Sequence, residues 1–212
     1  MHYVSAVSDC MLALVCLAGV IALGKARKGY DEGDQTALYC AQLGFALSGA
    51  AAATALMYFA PSWQAAHLWL SQASKFLGLP LFGAAALALG RGWTWSQPTW
   101  GRLLLGLCAF FELFRQMNVL DDYRLVLLLT TLALLLYAGA VQWPRRAPVA
   151  AAIGSSALFL LVSLALDSRG MLGPLPYSEL LHLLPIPAYA LLAWLLLALP
   201  GSGRTENPAK AL

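Results

Sequence analysis

Asp9, His67, Lys75, Glu179 and His182 stand out in this chain as side chains able to do acid, base or ligand chemistry within otherwise apolar surroundings. His67, Ser71, Ser74 and Lys75 recur at i, i+4, i+7 and i+8, which sets them on one face of a helix. Glu179 and His182 stand three apart, and Ile186 and Tyr189 continue their face. Ser5 and Asp9 are four apart, with Ser8 beside them, while Ser156, Ser163 and Asp167 follow one another at i, i+7 and i+11. Carboxylates, imidazoles and an ammonium brought together in this way can bind an ion or a polar headgroup, or move a proton.

The elements that must position them follow from composition. Of 212 residues 60% are hydrophobic and only 11% are charged, with a mean hydropathy of +0.70. A soluble domain carries about 25% charge, so the expected class is an all-α integral membrane protein. In lipid every backbone group must be satisfied within its own segment, so apolar runs of about 20 residues read as spanning helices. Seven such runs fit: Tyr3 to Gly24, Thr36 to Ala60, His67 to Gly90, Trp100 to Met117, Tyr123 to Gln142, Pro148 to Asp167 and Ser178 to Leu199. Glu112 and Arg115 interrupt the fourth. Pro185 and Pro187 are expected to kink the seventh and free carbonyls near its start. The loops are short and punctuated by Gly and Pro, leaving residues 1–200 as one seven-helix transmembrane domain and residues 201–212 as a short polar tail.

Lys and Arg fix the expected orientation. Nine lie in one set of alternate loops (Lys25, Arg27, Lys28, Arg91, Arg102, Arg145, Arg146, Arg204 and Lys210) and three in the other (Arg115, Arg124 and Arg169). That bias places the N-terminus outside and the C-terminus in the cytoplasm. Trp63, Trp69, Trp93, Trp95, Trp100 and Trp143 fall at span boundaries, where an interfacial belt is expected. The first span is followed rather than preceded by basic residues and reads as a retained helix, not a signal peptide. Basic residues are scattered, so no nucleic-acid partner is expected, and the four cysteines show no metal or redox spacing.

With this orientation, Asp9, Glu112, Asp121, Asp122, Asp167, Glu179 and all three histidines lie toward the outer end. Asp31, Glu32, Asp34 and Glu206 are expected in exposed cytoplasmic loop or tail. A polar pocket opening outward is therefore expected, formed by Asp9, His67, Ser71, Lys75, Ser163, Asp167, Glu179 and His182. Lys75 lies about 12 Å along the helix from His67 at 1.5 Å per residue, so it either snorkels or serves as a buried cation of an ion or substrate site. Glu112 and Arg115 are placed to pair locally. Gly44, Ser48, Gly49 and Ala50 to Ala53 form a small-residue stripe suited to close helix packing or to leaving room for a lipid tail.

An Asp early in the first of seven helices and the string Ser178-Glu179-Leu180-Leu181-His182 at the start of the last resemble uncharacterised bacterial seven-helix membrane proteins related to the alkaline ceramidase-like, or CREST, superfamily. The resemblance implies the seven-helix fold and, by the superfamily's pattern, a zinc held by a Ser and a His on the second helix and an HxxxH pair on the seventh. Here Ser48 is followed four residues later by Ala52, and His182 has Ser178 and Ile186 at its i−4 and i+4 neighbours. The metal set this sequence offers instead is His182 and Glu179 with Asp9 or His67, for zinc with about three protein ligands and a water.

The leading expectation is an inner-membrane protein whose outward-facing intramembrane pocket binds a small molecule or lipid headgroup, in transport or sensing. The alternatives are a metal-dependent lipid amide hydrolase and a structural subunit of a larger membrane complex. Membrane lipid is the expected partner, with a membrane-protein partner or a second copy as the further ones.

Overall fold

The computed structural model describes residues 2–57, 61–167 and 183–201, and within them every regular element is helical. The elements are α1 (His2–Ala26), α2 (Glu32–Leu56), α3 (Pro61–Ala73), a π-helical turn (Ser74–Gly78), α4 (Leu79–Arg91), α5 (Gln97–Gln116), α6 (Leu120–Val141), α7 (Arg146–Asp167) and α8 (Pro185–Ala198). The run from α3 through the π turn to α4 is continuous, so the described residues form seven helices.

Five stretches are long and apolar enough to cross a membrane: Ala6–Gly29, Glu32–Leu56, Trp63–Arg91, Leu120–Val141 and Arg146–Leu164. They coincide with five of the seven expected spans. The fourth span exists as α5, a helix of 20 residues, but Arg102, Glu112 and Arg115 keep it out of that apolar group. In the seventh, the apolar helix is 14 residues and begins at Pro185. Both prolines therefore occupy its first turn, where a missing N–H removes no helical hydrogen bond. Leu183 before this helix is helical too, with the single turn residue Leu184 between them, and the chain on the far side of the expected kink lies outside the described residues.

The helices close into a ring. α1 packs on α2, α2 on α3 and α4, α4 on α6, α6 on α7, α7 on α8, and α8 returns to α1. α5 stands outside this ring against the π turn, α2 and α6, and buries only Trp100 and Leu107. The core inside the ring is apolar and tightly filled, with Phe45, Phe82, Leu135, Leu192 and Leu195 fully buried. The outer surface is apolar as well. Val7, Met11, Leu14, Leu17 and Ile21 form an exposed stripe along α1, and Leu125, Val126 and Leu129 on α6 and Ile153, Leu161 and Leu164 on α7 are exposed as well.

Polar contacts tie the end of the ring that carries Lys25, Arg27, Arg91 and Arg145. Gly92 adopts φ 65° and closes α4 while the Trp93 N–H bonds the Ala88 carbonyl at 2.8 Å, a left-handed cap that only glycine takes without strain. Gln142 Nε2 donates to the Gly90 carbonyl (2.9 Å), joining α6 to α4, and the Tyr30 hydroxyl donates to the Leu199 carbonyl (3.0 Å), joining the α1–α2 turn to the end of α8. Asp34 departs from expectation: it is 1% exposed, because Gly201 folds back over its carboxylate. Asp31 and Glu32 are exposed as expected, and Glu206 lies outside the described residues. Trp100 also departs. It is buried and stacks against Trp95 with ring centroids 5.1 Å apart, whereas Trp63, Trp69, Trp93 and Trp143 are exposed.

Candidate functional site

Pro80 sets the local geometry from which the site is built. Lacking an N–H, it cannot bond the Phe76 carbonyl four residues back, and its ring crowds that carbonyl. The helix widens by one residue just before it, so that the Leu79 N–H reaches the Ser74 carbonyl five residues back. The wide turn approaches α2 closely at Gly44. A Cβ there would lie 2.8 Å from the Phe82 ring and 3.0 Å from the Gly78 carbonyl oxygen, so the position requires glycine. One turn further along this antiparallel contact, Ser48 of α2 meets Ser74 of the π turn, their hydroxyls 2.7 Å apart.

Tyr189 of α8 completes the contact by donating its hydroxyl to Ser48 Oγ at 2.9 Å. Its ring is fixed by edge-on packing against Phe45, Phe82 and Phe159, with centroids 6.0, 6.0 and 5.2 Å away. His67 is held further along the same pair of helices. Its Nδ1 stands 3.1 Å from the Ala51 carbonyl and 3.4 Å from the Thr54 hydroxyl, which itself donates to the Ala50 and Ala51 carbonyls. Since a carbonyl only accepts, Nδ1 carries the proton in that contact.

These groups border a cavity of about 270 Å³. Every ring helix contributes to its wall: Asp9 and Leu12 from α1, Ser48, Ala51, Ala52 and Ala55 from α2, His67 and Ser71 from α3, Ser74 and Lys75 from the π turn, and Leu79 from α4. Arg124 and Leu128 come from α6, Phe159, Val162 and Ser163 from α7, and Pro185 and Tyr189 from α8. The contributing segments are the early part of α1, the late part of α2, the early part of α6, the late part of α7 and the start of α8. The cavity therefore sits toward one end of the ring, opposite the end rich in Lys and Arg.

Of the pocket residues expected from sequence, Asp9, His67, Ser71, Lys75 and Ser163 line this one cavity. The Asp167 side chain, Glu179 and His182 lie outside the described residues. The same holds for His182 and Glu179 of the expected metal set, while its alternative third members, Asp9 and His67, both lie on the cavity. Among the described residues no three His, Cys, Asp or Glu side chains cluster as metal ligands. Ser48, Arg124 and Tyr189 are wall residues that the sequence placed in other roles: helix packing, topology and the continuation of a face. Their signal was Ser48 within a small-residue stripe, the sole hydroxyl among residues that otherwise permit close packing. Glu112 and Arg115 form the local pair expected of them, with bonds of 2.7 and 2.8 Å joined by Gln116 at 3.0 Å, on α5 and away from the cavity.

Ligand cavities usually run to about 300–1,000 Å³, so this one suits a compact group or one part of a larger molecule. Its walls hold an ammonium, a guanidinium, a carboxylate, an imidazole and hydroxyls among Ala, Leu, Val and Phe side chains. No protein-family model, curated protein or solved structure matches the chain.

Proposed function

We propose that this chain is an integral membrane protein of a bacterial inner membrane whose cavity binds a small molecule or a lipid headgroup. The membrane part of the reading is supported by five helices of spanning length and by the apolar outer surface of the ring, since soluble monomers rarely expose contiguous apolar patches beyond a few hundred Å². The excess of Lys and Arg in one set of loops supports a cytoplasmic placement for that end, with the cavity opening toward the other side.

The binding part rests on one observation: charged and hydroxyl side chains from separate helices converge on a single cavity at one end of the ring. Polar groups placed only to satisfy one another would need no shared empty volume. The test is native mass spectrometry of the full chain released from membranes in detergent, beside an Ala52→Phe variant that fills the cavity. A bound small molecule or lipid is expected on the wild-type chain and lost from the variant. A wild-type chain that carries no ligand, and whose thermal stability no added lipid extract changes, would remove the reading.

A further inference from the structure

The hydroxyl chain on the cavity wall holds one proton more than its two short hydrogen bonds use. Tyr189 donates to Ser48, and Ser48 and Ser74 share one hydrogen bond. Three hydroxyls bring three protons, and these two bonds use two. The third proton sits on whichever serine accepts in the Ser48–Ser74 contact. Both serines are buried and both border the cavity, and the further acceptor within reach of that proton is the Tyr189 hydroxyl oxygen, beside Ser74. Ser74 and Tyr189 thus interact more loosely than the pairs held at 2.7 and 2.9 Å. A charged oxygen is a stronger acceptor than a hydroxyl, so an occupant of the cavity that presents one gains the serine proton.

One residue along the same π turn, Lys75 borders the same cavity. Among the described residues no carboxylate or carbonyl takes an ion pair or hydrogen bond from its ammonium. An ammonium has three donors and no acceptor, so Lys75 and the serine pair ask for the same chemistry, an oxygen that only accepts. Arg124 and Asp9, one cation and one carboxylate, also border the described wall, with His67, Ser71 and Ser163 as its other polar groups. The rest of the lining is apolar, which disfavours a small, fully hydrated ion, and the volume takes only part of a lipid-sized molecule.

We infer that the occupant is an anionic amphiphile, with a carboxylate or phosphate head held by Lys75 and the spare serine proton and its chain against Leu12, Leu79, Leu128 and Phe159. This rests on the cavity being a binding site and names the class of molecule it takes. An anionic oxygen also occurs on free phosphate, so head and chain must be separated experimentally.

The full chain in nanodiscs of phosphatidylcholine is titrated calorimetrically, with empty discs as the baseline, using laurate, dodecyl phosphate, dodecanol, dodecyltrimethylammonium and inorganic phosphate. Laurate and dodecyl phosphate are expected to bind saturably, with dodecanol and the trimethylammonium about tenfold weaker or worse. Lys75→Gln is expected to weaken laurate about tenfold, Lys75→Arg to restore most of the affinity, and Ser74→Ala to weaken it several-fold. The arginine variant also guards against mistaking misfolding for loss of charge. Inorganic phosphate binding as tightly as dodecyl phosphate would overturn the amphiphile. Equal binding of the trimethylammonium, or unchanged laurate affinity in Lys75→Gln, would overturn the anion while leaving the cavity a binding site. Absence of saturable binding by every probe would overturn both this inference and the proposed function.

Discussion

Ser48 and Ser74 face each other 2.7 Å apart, one on α2 and one on the π turn, with Tyr189 donating to the first of them. Replacing both serines by cysteine should therefore bring two sulfurs within bonding reach, since the hydroxyl oxygens they replace stand 2.7 Å apart. The Ser48→Cys, Ser74→Cys pair is expected to cross-link under mild oxidant, as read by peptide mass. Adding Pro80→Ala returns the N–H whose absence accounts for the wide turn, lets the segment tighten toward an α-helix, and is expected to lower the cross-linking yield. An undiminished yield would mean that packing against Gly44, rather than Pro80, holds the turn open.

The Tyr189 hydroxyl bond is separable from the packing of its ring. Tyr189→Phe keeps the edge-on contacts with Phe45, Phe82 and Phe159 and is expected to lose about 1 kcal/mol of stability. Tyr189→Ala also opens a cavity and is expected to cost about 3–5 kcal/mol. Unfolding in detergent should rank wild type above phenylalanine above alanine, and equal losses would mean that the hydroxyl alone matters.

Glycine is required at Gly44 and not at Gly106. Gly44→Ala places a methyl against the Phe82 ring and the Gly78 carbonyl, and is expected to destabilise by about 1–3 kcal/mol. Gly106 lies inside α5, where a Cβ would meet nothing within 4 Å. Gly106→Ala should raise the melting temperature by removing a weak helix former, worth about 0.8–1.0 kcal/mol. Opposite signs for these two substitutions are the expected result.

Whether α5 crosses the bilayer is decided at its two ends. Single cysteines at Ser96 and Asn118, each in a background with Cys10 and Cys108 changed to serine, can be probed in intact cells with a membrane-impermeant maleimide. If α5 spans as the sequence expects, Asn118→Cys labels from outside and Ser96→Cys only after permeabilisation. Labelling of both from one side would make α5 a surface helix.

Much of the cavity wall was legible in the sequence because helical spacing is a local property. His67, Ser71 and Lys75 share a face at i, i+4 and i+8, and that regularity survives because the π turn begins only at Ser74. Asp9 and Ser163 were visible as polar breaks near span ends. Ser48, Arg124 and Tyr189 were harder, because their place on the wall depends on how separate helices register against each other. Ser48 reaches Ser74 only through the close approach at Gly44. The π turn had a signal in Pro80, but a proline in an apolar run equally often marks a kink. The burial of Asp34 depends on Gly201, far away in the chain, folding over it, which no local pattern encodes.

The cavity draws its wall from all the ring helices, and α8, which supplies Tyr189, is the last of them to leave the ribosome. Until α8 docks between α7 and α1, Ser48 lacks its donor and the apolar rings of Phe45 and Phe82 lack their partner. The nascent chain therefore has no site to fill. A ligand for this cavity would act on the finished bundle and not as a template during insertion, so its availability would affect how long the protein persists rather than whether its helices enter the membrane.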